Sequence, residues 1–549
     1  MLSIQNVLAV LAEAALAVIL VSAPVPAPQE PEVAPRPKVR PEKPEKPLTY
    51  ELVTFETLYK AAAADAAAVV AKDPTRAKYT RYLDARPFAV EHRAESKSVL
   101  DYHVNSLSRH SRIRLSREVT PWLWAVEIDR YKWDPATYEK LGPVNFYHSI
   151  SVVLKTPVTK TEVRKVRKPV EKTRQVYVQT AYGQQLQTQR YTDYEDVDEE
   201  VPVEVKELEK EDVIPGPWVP AAEAKYLIDT LQTRVPVIRA DNFINQTAIQ
   251  EDRDGHGYYD WFGFKKLKDL EDFVRLDRKG SAEIERELGA IIPAGSVALN
   301  NRQLFRLSAL TGPWWESRDA KRSRKRSNAL SNFLDDFKVD AFEIVFVLPN
   351  RLPGFYLSDA KGVQQEYAPD FIAAHQESTN NDRRVHVGYT CIACHVDGGL
   401  RPFDDWARGT FDTRTGLLFG SLALDPDKAD RVESVYFGPL EREYPKDVSA
   451  FAEAIGEATG GMKPAELSAA YVRVWTRYLD RPVTLDVAAP DAGYQPKDAR
   501  DRLEAYVDSK KAIDPLLASF LAKNPRPLRR EHFEERFGLF QLILMGASP

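Results

Sequence analysis

Hydrophobic patterning divides the chain into segments of distinct character. Residues 7–22 are an apolar run broken only by Glu13, and nine prolines then fall within residues 24–47 among Lys, Arg and Glu. The run has the length of a signal-peptide core and is short for a spanning helix. The Pro-rich stretch reads as an extended, solvated spacer. The expectation is an export signal or single membrane anchor at 1–23 followed by a linker at 24–47. No Cys lies near this end, so a lipid anchor has no support.

Further along, alanine-dense residues 52–72, stopped by Asp73-Pro74, predict a helix. Alternation at Leu123–Ile128 predicts a strand leading to a turn at Trp133-Asp134-Pro135. Helical periodicity covers 220–232 and 265–276. Glu343 through Leu348 reads as a strand, Pro349–Gly354 as a turn and Phe355–Leu357 as the return strand. Beyond residue 445 the pattern is helical over about 448–459, 464–479, 497–509 and 513–522.

The expected class is α+β and multi-domain: a mixed α/β N-terminal body, a β-hairpin leading into a cysteine motif, and a helical C-terminal third. The expected divisions are an N-terminal domain at 48–157, a charged insertion at 158–213, a central domain at 214–340, a motif-bearing domain at 341–445 and a helical region at 446–549.

The insertion is unusual in charge. Lys160–Arg174 holds seven Lys or Arg, and Asp193–Asp212 holds eleven Asp or Glu, with a Gln-rich gap around Gly183. One reading is a two-stranded arm pairing its basic strand with its acidic strand; the other is a disordered insertion. The β-branched residues favour the arm.

Composition narrows the function classes. The 549 residues are 43% hydrophobic and 29% charged, an ordinary globular balance. The net charge of -5 leaves no basic field for nucleic acid. With only 2 Cys, a disulfide framework is excluded.

Both cysteines lie in Cys391-Ile392-Ala393-Cys394-His395. This is the spacing of covalent c-type haem attachment. Two thiols one turn apart add across the haem vinyl groups, and the adjoining imidazole of His395 reaches the iron as an axial ligand. Chance would produce this spacing on the order of one time in ten thousand. The cofactor expected is one covalent haem c per chain. Three other readings compete: a zinc site of Cys391, Cys394, His395 and His386 or His375, a redox dithiol, and a tight disulfide.

Met462, in Gly460-Gly461-Met462-Lys463-Pro464, is the formal candidate for the sixth iron position. His386 and His375 are its rivals. Lys321–Arg326 is a basic cluster that could dock an acidic redox partner or an anionic membrane surface, although a solvated loop face is the favoured reading.

The chain resembles a family of large, exported bacterial proteins carrying a cytochrome c-like domain with a single c-type haem. The resemblance spans most of residues 80–490 and rests on Asn105–Ser108, Ile128–Trp133, Pro236–Asp241, Asn300–Arg302, the Glu343–Leu348 strand with Gly354-Phe355-Tyr356, the haem motif, and Arg481–Leu485. It implies haem binding and electron transfer, with Cys391, Cys394 and His395 as the attachment residues. Relatives often carry Met or His shortly after the motif; here the chain reads Val396-Asp397-Gly398-Gly399-Leu400.

Together these readings lead to an expectation of an exported mono-haem cytochrome, periplasmic or at the cell surface, passing single electrons to a redox partner protein. The alternatives are a haem enzyme or small-ligand sensor with an open iron position, and a structural protein held by zinc.

Overall fold

The computed structural model describes residues 49–145, 147, 153–154, 158–180, 183–205, 208–210, 216–249, 255–278, 288–292, 302–320, 337–368, 384–395, 399–400, 403, 405, 411–412, 417–418, 422–423, 426–436, 440–479, 482–509 and 513–546. The expected signal segment, the Pro-rich linker, the Lys321–Arg326 cluster and His375 lie outside these residues. Among the described residues no helix is long and apolar enough to cross a membrane.

The chain divides into two compact units: one of residues up to 149 and from 215 onward, the other Ile150–Ile214. The first is mixed α+β. Its opening helix α1 (Phe55–Lys72) begins where Thr54 caps the Thr57 amide, and ends at Asp73, whose side chain caps the short helix Pro74–Ala77. Strand β1 (Thr80–Asp84) follows, then helix α2 (Arg93–Ser106).

A four-stranded sheet is assembled from distant pieces. Strand β2 (Arg117–Thr120) pairs with β3 (Leu123–Glu127), and β3 pairs antiparallel with β1. The expected strand ends one residue early, because Ile128 opens a 3-10 turn through Tyr131. The expected turn at Trp133–Pro135 instead starts a short helix, Pro135–Glu139, capped by Asp134.

The second unit contains a long hairpin. Strand β4 (Val158–Thr180) pairs antiparallel with β5 (Gly183–Val205) along their whole length. The register sets Arg164 opposite Glu199, Lys165 opposite Asp198, Arg167 opposite Asp196 and Lys168 opposite Glu195. Opposite charges at directly paired positions favour one register over its slips.

Returning to the first unit, helix α3 (Ala221–Leu231) leads to β6 (Val237–Arg239), which lies parallel to β1 as the fourth strand. Helices α4 (Ala240–Ala248) and α5 (Leu267–Val274) follow. A five-stranded antiparallel sheet comes next in chain order: β7 (Leu288–Ile292), β8 (Arg302–Ala309), β9 (Gly312–Asp319), β10 (Ala341–Val347) and β11 (Pro353–Asp359). The expected division at 340/341 falls inside this sheet, where β9 pairs with β10.

The C-terminal part is helical, with α6 (Tyr389–Cys394), α7 (Pro426–Tyr436), α8 (Leu440–Thr459), α9 (Pro464–Leu479), α10 (Leu485–Asp491), α11 (Pro496–Asp508), α12 (Arg530–Glu534) and α13 (Phe537–Leu544). One continuous core joins both sheets to α2, α8 and α9, and it includes Cys391 and Ile392. The cysteine motif is therefore embedded in the main hydrophobic mass.

Candidate functional site

The motif sits on a helix of only six residues, too short to persist alone. Its neighbours hold it. Gly388 precedes it at φ +77°, and a Cβ there would meet the Ala248 carbonyl oxygen at 2.2 Å. Only glycine admits both that conformation and that approach to α4. At the other end, the Ser468 hydroxyl of α9 donates to the Ala393 carbonyl at 2.7 Å. This satisfies an acceptor that a helix terminus leaves unpaired. Tyr389 stacks on Trp475 of α9 with ring centroids 3.7 Å apart and planes 13° apart.

On α6 the two cysteines are three residues apart and share a face. Cys391 is buried, Cys394 is half-buried, and neither is in a disulfide. Burial pushes the Cys391 thiol well above its ordinary range, with Glu343 and Cys394 adding to the effect. Its Sγ lies 3.9 Å from the His386 carbonyl oxygen.

His395 is the C-cap residue of α6, and its amide donates to the Cys391 carbonyl at 2.8 Å. Its Nδ1 lies 3.0 Å from the Gly399 carbonyl oxygen. A carbonyl only accepts, so Nδ1 carries a proton, and in the neutral ring Nε2 then holds the lone pair. An imidazole so held is the form that ligates a metal, its orientation set by the backbone. The Phe355 ring of β11 packs 5.4 Å from the imidazole, centroid to centroid. Gly399 itself, at φ +83°, lies so close to Pro353 that a Cβ would come within 2.5 Å of that proline.

A cavity of about 10 Å³ opens beside the imidazole. Tyr102, Phe355, Ile392, Ile455 and Leu467 give it a mainly apolar wall. That volume is about the space a single water molecule needs, against about 300–1,000 Å³ for a ligand pocket. The donor types, two thiols outside any disulfide and an imidazole held by the backbone, are those of a covalently attached haem. A macrocycle needs more space than this cavity holds.

The other sequence candidates are placed elsewhere. Met462 lines an open groove with Ala94, Glu95, Ser98, Ala465 and Arg473, and is not on the wall of the His395 cavity. His386 lies in a short strand with its ring against Tyr367. Among the described residues no three His, Cys, Asp or Glu side chains converge as a metal site. The supporting residues Gly388, Gly399, Phe355, Tyr102, Ser468 and Trp475 had no sequence signal as site residues, since only the fold brings them to the motif. No protein-family model, curated protein or solved structure matches the chain.

Proposed function

We propose that the chain is an exported mono-haem c-type cytochrome that passes single electrons. Cys391 and Cys394 would form the thioethers and His395 would supply the axial imidazole. Bound there, the haem would supply one-electron chemistry at the iron. The observation that carries the reading is the Nδ1 contact of His395 with the Gly399 carbonyl, which presets the ring for ligation through Nε2. The apolar cavity wall adds a low-dielectric setting, one of the levers on a haem potential.

Export follows in this reading from the apolar N-terminal run and from the extracytoplasmic attachment of such haems. Electron transfer requires a redox partner protein. The test is expression in a host with a c-type maturation system, followed by a pyridine haemochrome spectrum and a haem stain on a denaturing gel. Covalent stain in the parent chain, lost in a Cys391→Ser, Cys394→Ser double variant, supports the proposal. Colourless protein with both thiols open to alkylation refutes it.

A second reading is a haem enzyme or small-ligand sensor. It draws on the cavity wall, where no Met or other His among the described residues joins His395. A high-spin ferric spectrum with peroxide reactivity selects it, and a six-coordinate low-spin spectrum selects the carrier. A Met462→Leu variant then asks whether this side chain is the sixth ligand. Loss of the low-spin spectrum would assign it. The zinc reading predicts zinc without iron on metal analysis.

A further inference from the structure

The hairpin unit carries a face that its own two strands cannot cover. Strands β4 and β5 pair over 23 residues each with no break in register, so alternate positions fall on opposite faces throughout. Val158, Val166, Val170, Val176 and Val178 of β4 occupy positions of one face, and the register puts all four valines of β5 on that same face. Val163 is the one valine of these strands on the other face. That other face is mainly polar, with Glu171, Thr173 and Arg190 exposed. A two-stranded hairpin is marginally stable at best in water unless its apolar face meets another layer.

The charges say what that layer is. On the valine face β4 carries Lys160, Arg164 and Lys168 among its basic positions, and β5 carries Asp193, Glu195 and Glu199. Glu162 is the one exception on the β4 side. The face is therefore basic along one strand and acidic along the other. A two-fold axis parallel to the strands, set between two such faces, lays β4 of each copy over β5 of the other. Arg164 then lies level with Glu199 of the second copy, and Lys168 level with its Glu195. A two-fold axis across the strands would instead lay basic strand on basic strand.

Addition at the edges is disfavoured. Pro169 and Pro202 have no N–H, and a paired strand admits proline only where its N–H side turns away from the ladder. Each outer edge thus lacks a donor within its length, which blunts edge-to-edge pairing. The face is large enough to matter. At about 3.3 Å per residue and about 4.8 Å per strand it measures about 75 Å by about 10 Å. Each copy thus offers about 700 Å², close to the roughly 800 Å² per partner of a standard interface.

We propose that the hairpin arm is a dimerisation element whose occupant is a second copy of this chain, stacked valine face on valine face about a two-fold axis parallel to the strands. Such a contact uses the same surface on both copies and closes at two. It does not depend on haem attachment.

The test is sedimentation velocity of the full chain at micromolar concentration, where a dimer is expected. Val166→Thr, Val170→Thr, Val197→Thr and Val201→Thr together keep β-branched residues in the strands and should weaken self-association at least tenfold. Val163→Thr, on the other face, should leave it unchanged. A monomeric parent, or a dimer indifferent to the four substitutions, overturns the proposal. A photocrosslinking readout does not depend on those variants folding. Full chain with p-benzoylphenylalanine at position 166 should give a covalent dimer whose bond maps to β5 of the second copy, around Val197, and the same group at position 163 should give none. A bond to β4 of the second copy, or equal yields from the two positions, overturns the stacking.

Discussion

His395 turns its Nδ1 to the carbonyl of Gly399, 3.0 Å away, and Gly399 lies against Pro353 at the start of β11. The orientation of the imidazole is thus tied to the edge of the five-stranded sheet through a glycine that no other residue can replace without strain. Gly399→Val places a side chain where φ is +83° and Pro353 stands in the way. The expected cost is about 1–3 kcal/mol of stability. A urea melt reads the cost. The haem-stained fraction, normalised to protein, is expected to drop with it, while a variant as stable and as well loaded as the parent would show that the contact positions nothing.

The two thiols differ in environment, and this is measurable on the unmodified chain. Burial holds the Cys391 thiol protonated, whereas Cys394 is half-buried. Iodoacetamide at pH 8 is expected to alkylate Cys394 first and Cys391 only as the chain unfolds. Peptide mass mapping over time checks the order. Equal rates at the two positions would contradict the packing around α6.

Acid stability offers a test of the buried contact between the Tyr471 phenol and His103. The folded pKa of His103, about 3, lies below the ordinary histidine value of 6.5. The unfolded chain therefore takes up a proton that the folded chain refuses between these limits. Stability is complete above pH 6.5 and declines as pH falls toward 3, by about 1.4 kcal/mol per unit for this one group. His103→Asn removes the group, so its unfolding free energy should fall less steeply over that range. Parallel curves for parent and variant would refute the assignment.

The hairpin unit should be dispensable for the main fold. The Gly216 amide donates to the Tyr147 carbonyl at 3.3 Å, so the chain leaves and re-enters the first unit at one place. Replacing residues 150–214 by a short Gly-Ser bridge is expected to alter stability by no more than about 1 kcal/mol. Thermal unfolding of the excised chain checks this. Failure to fold would mean that the arm supports the body.

Much of the local structure was legible in the residues. The alanine-rich α1, the Glu343 strand with its return, and α9 within 464–479 follow from local propensity, Pro punctuation and periodicity. The short α10, α12 and α13 were not foreseen, and their stability comes from packing. Likewise β1 and β6 are parallel partners more than 150 residues apart, and nothing in either segment names the other.

The chain by itself determined the donor set: two thiols at helical spacing with an imidazole after them, legible because all three lie within five residues. Only the tertiary structure decided what surrounds it. A serine to close the helix end, an apolar cavity wall and a buried phenol paired with His103 come from β11, α8, α9 and α2. Such contacts depend on distance in space, which burial of the shared core sets and sequence separation hides.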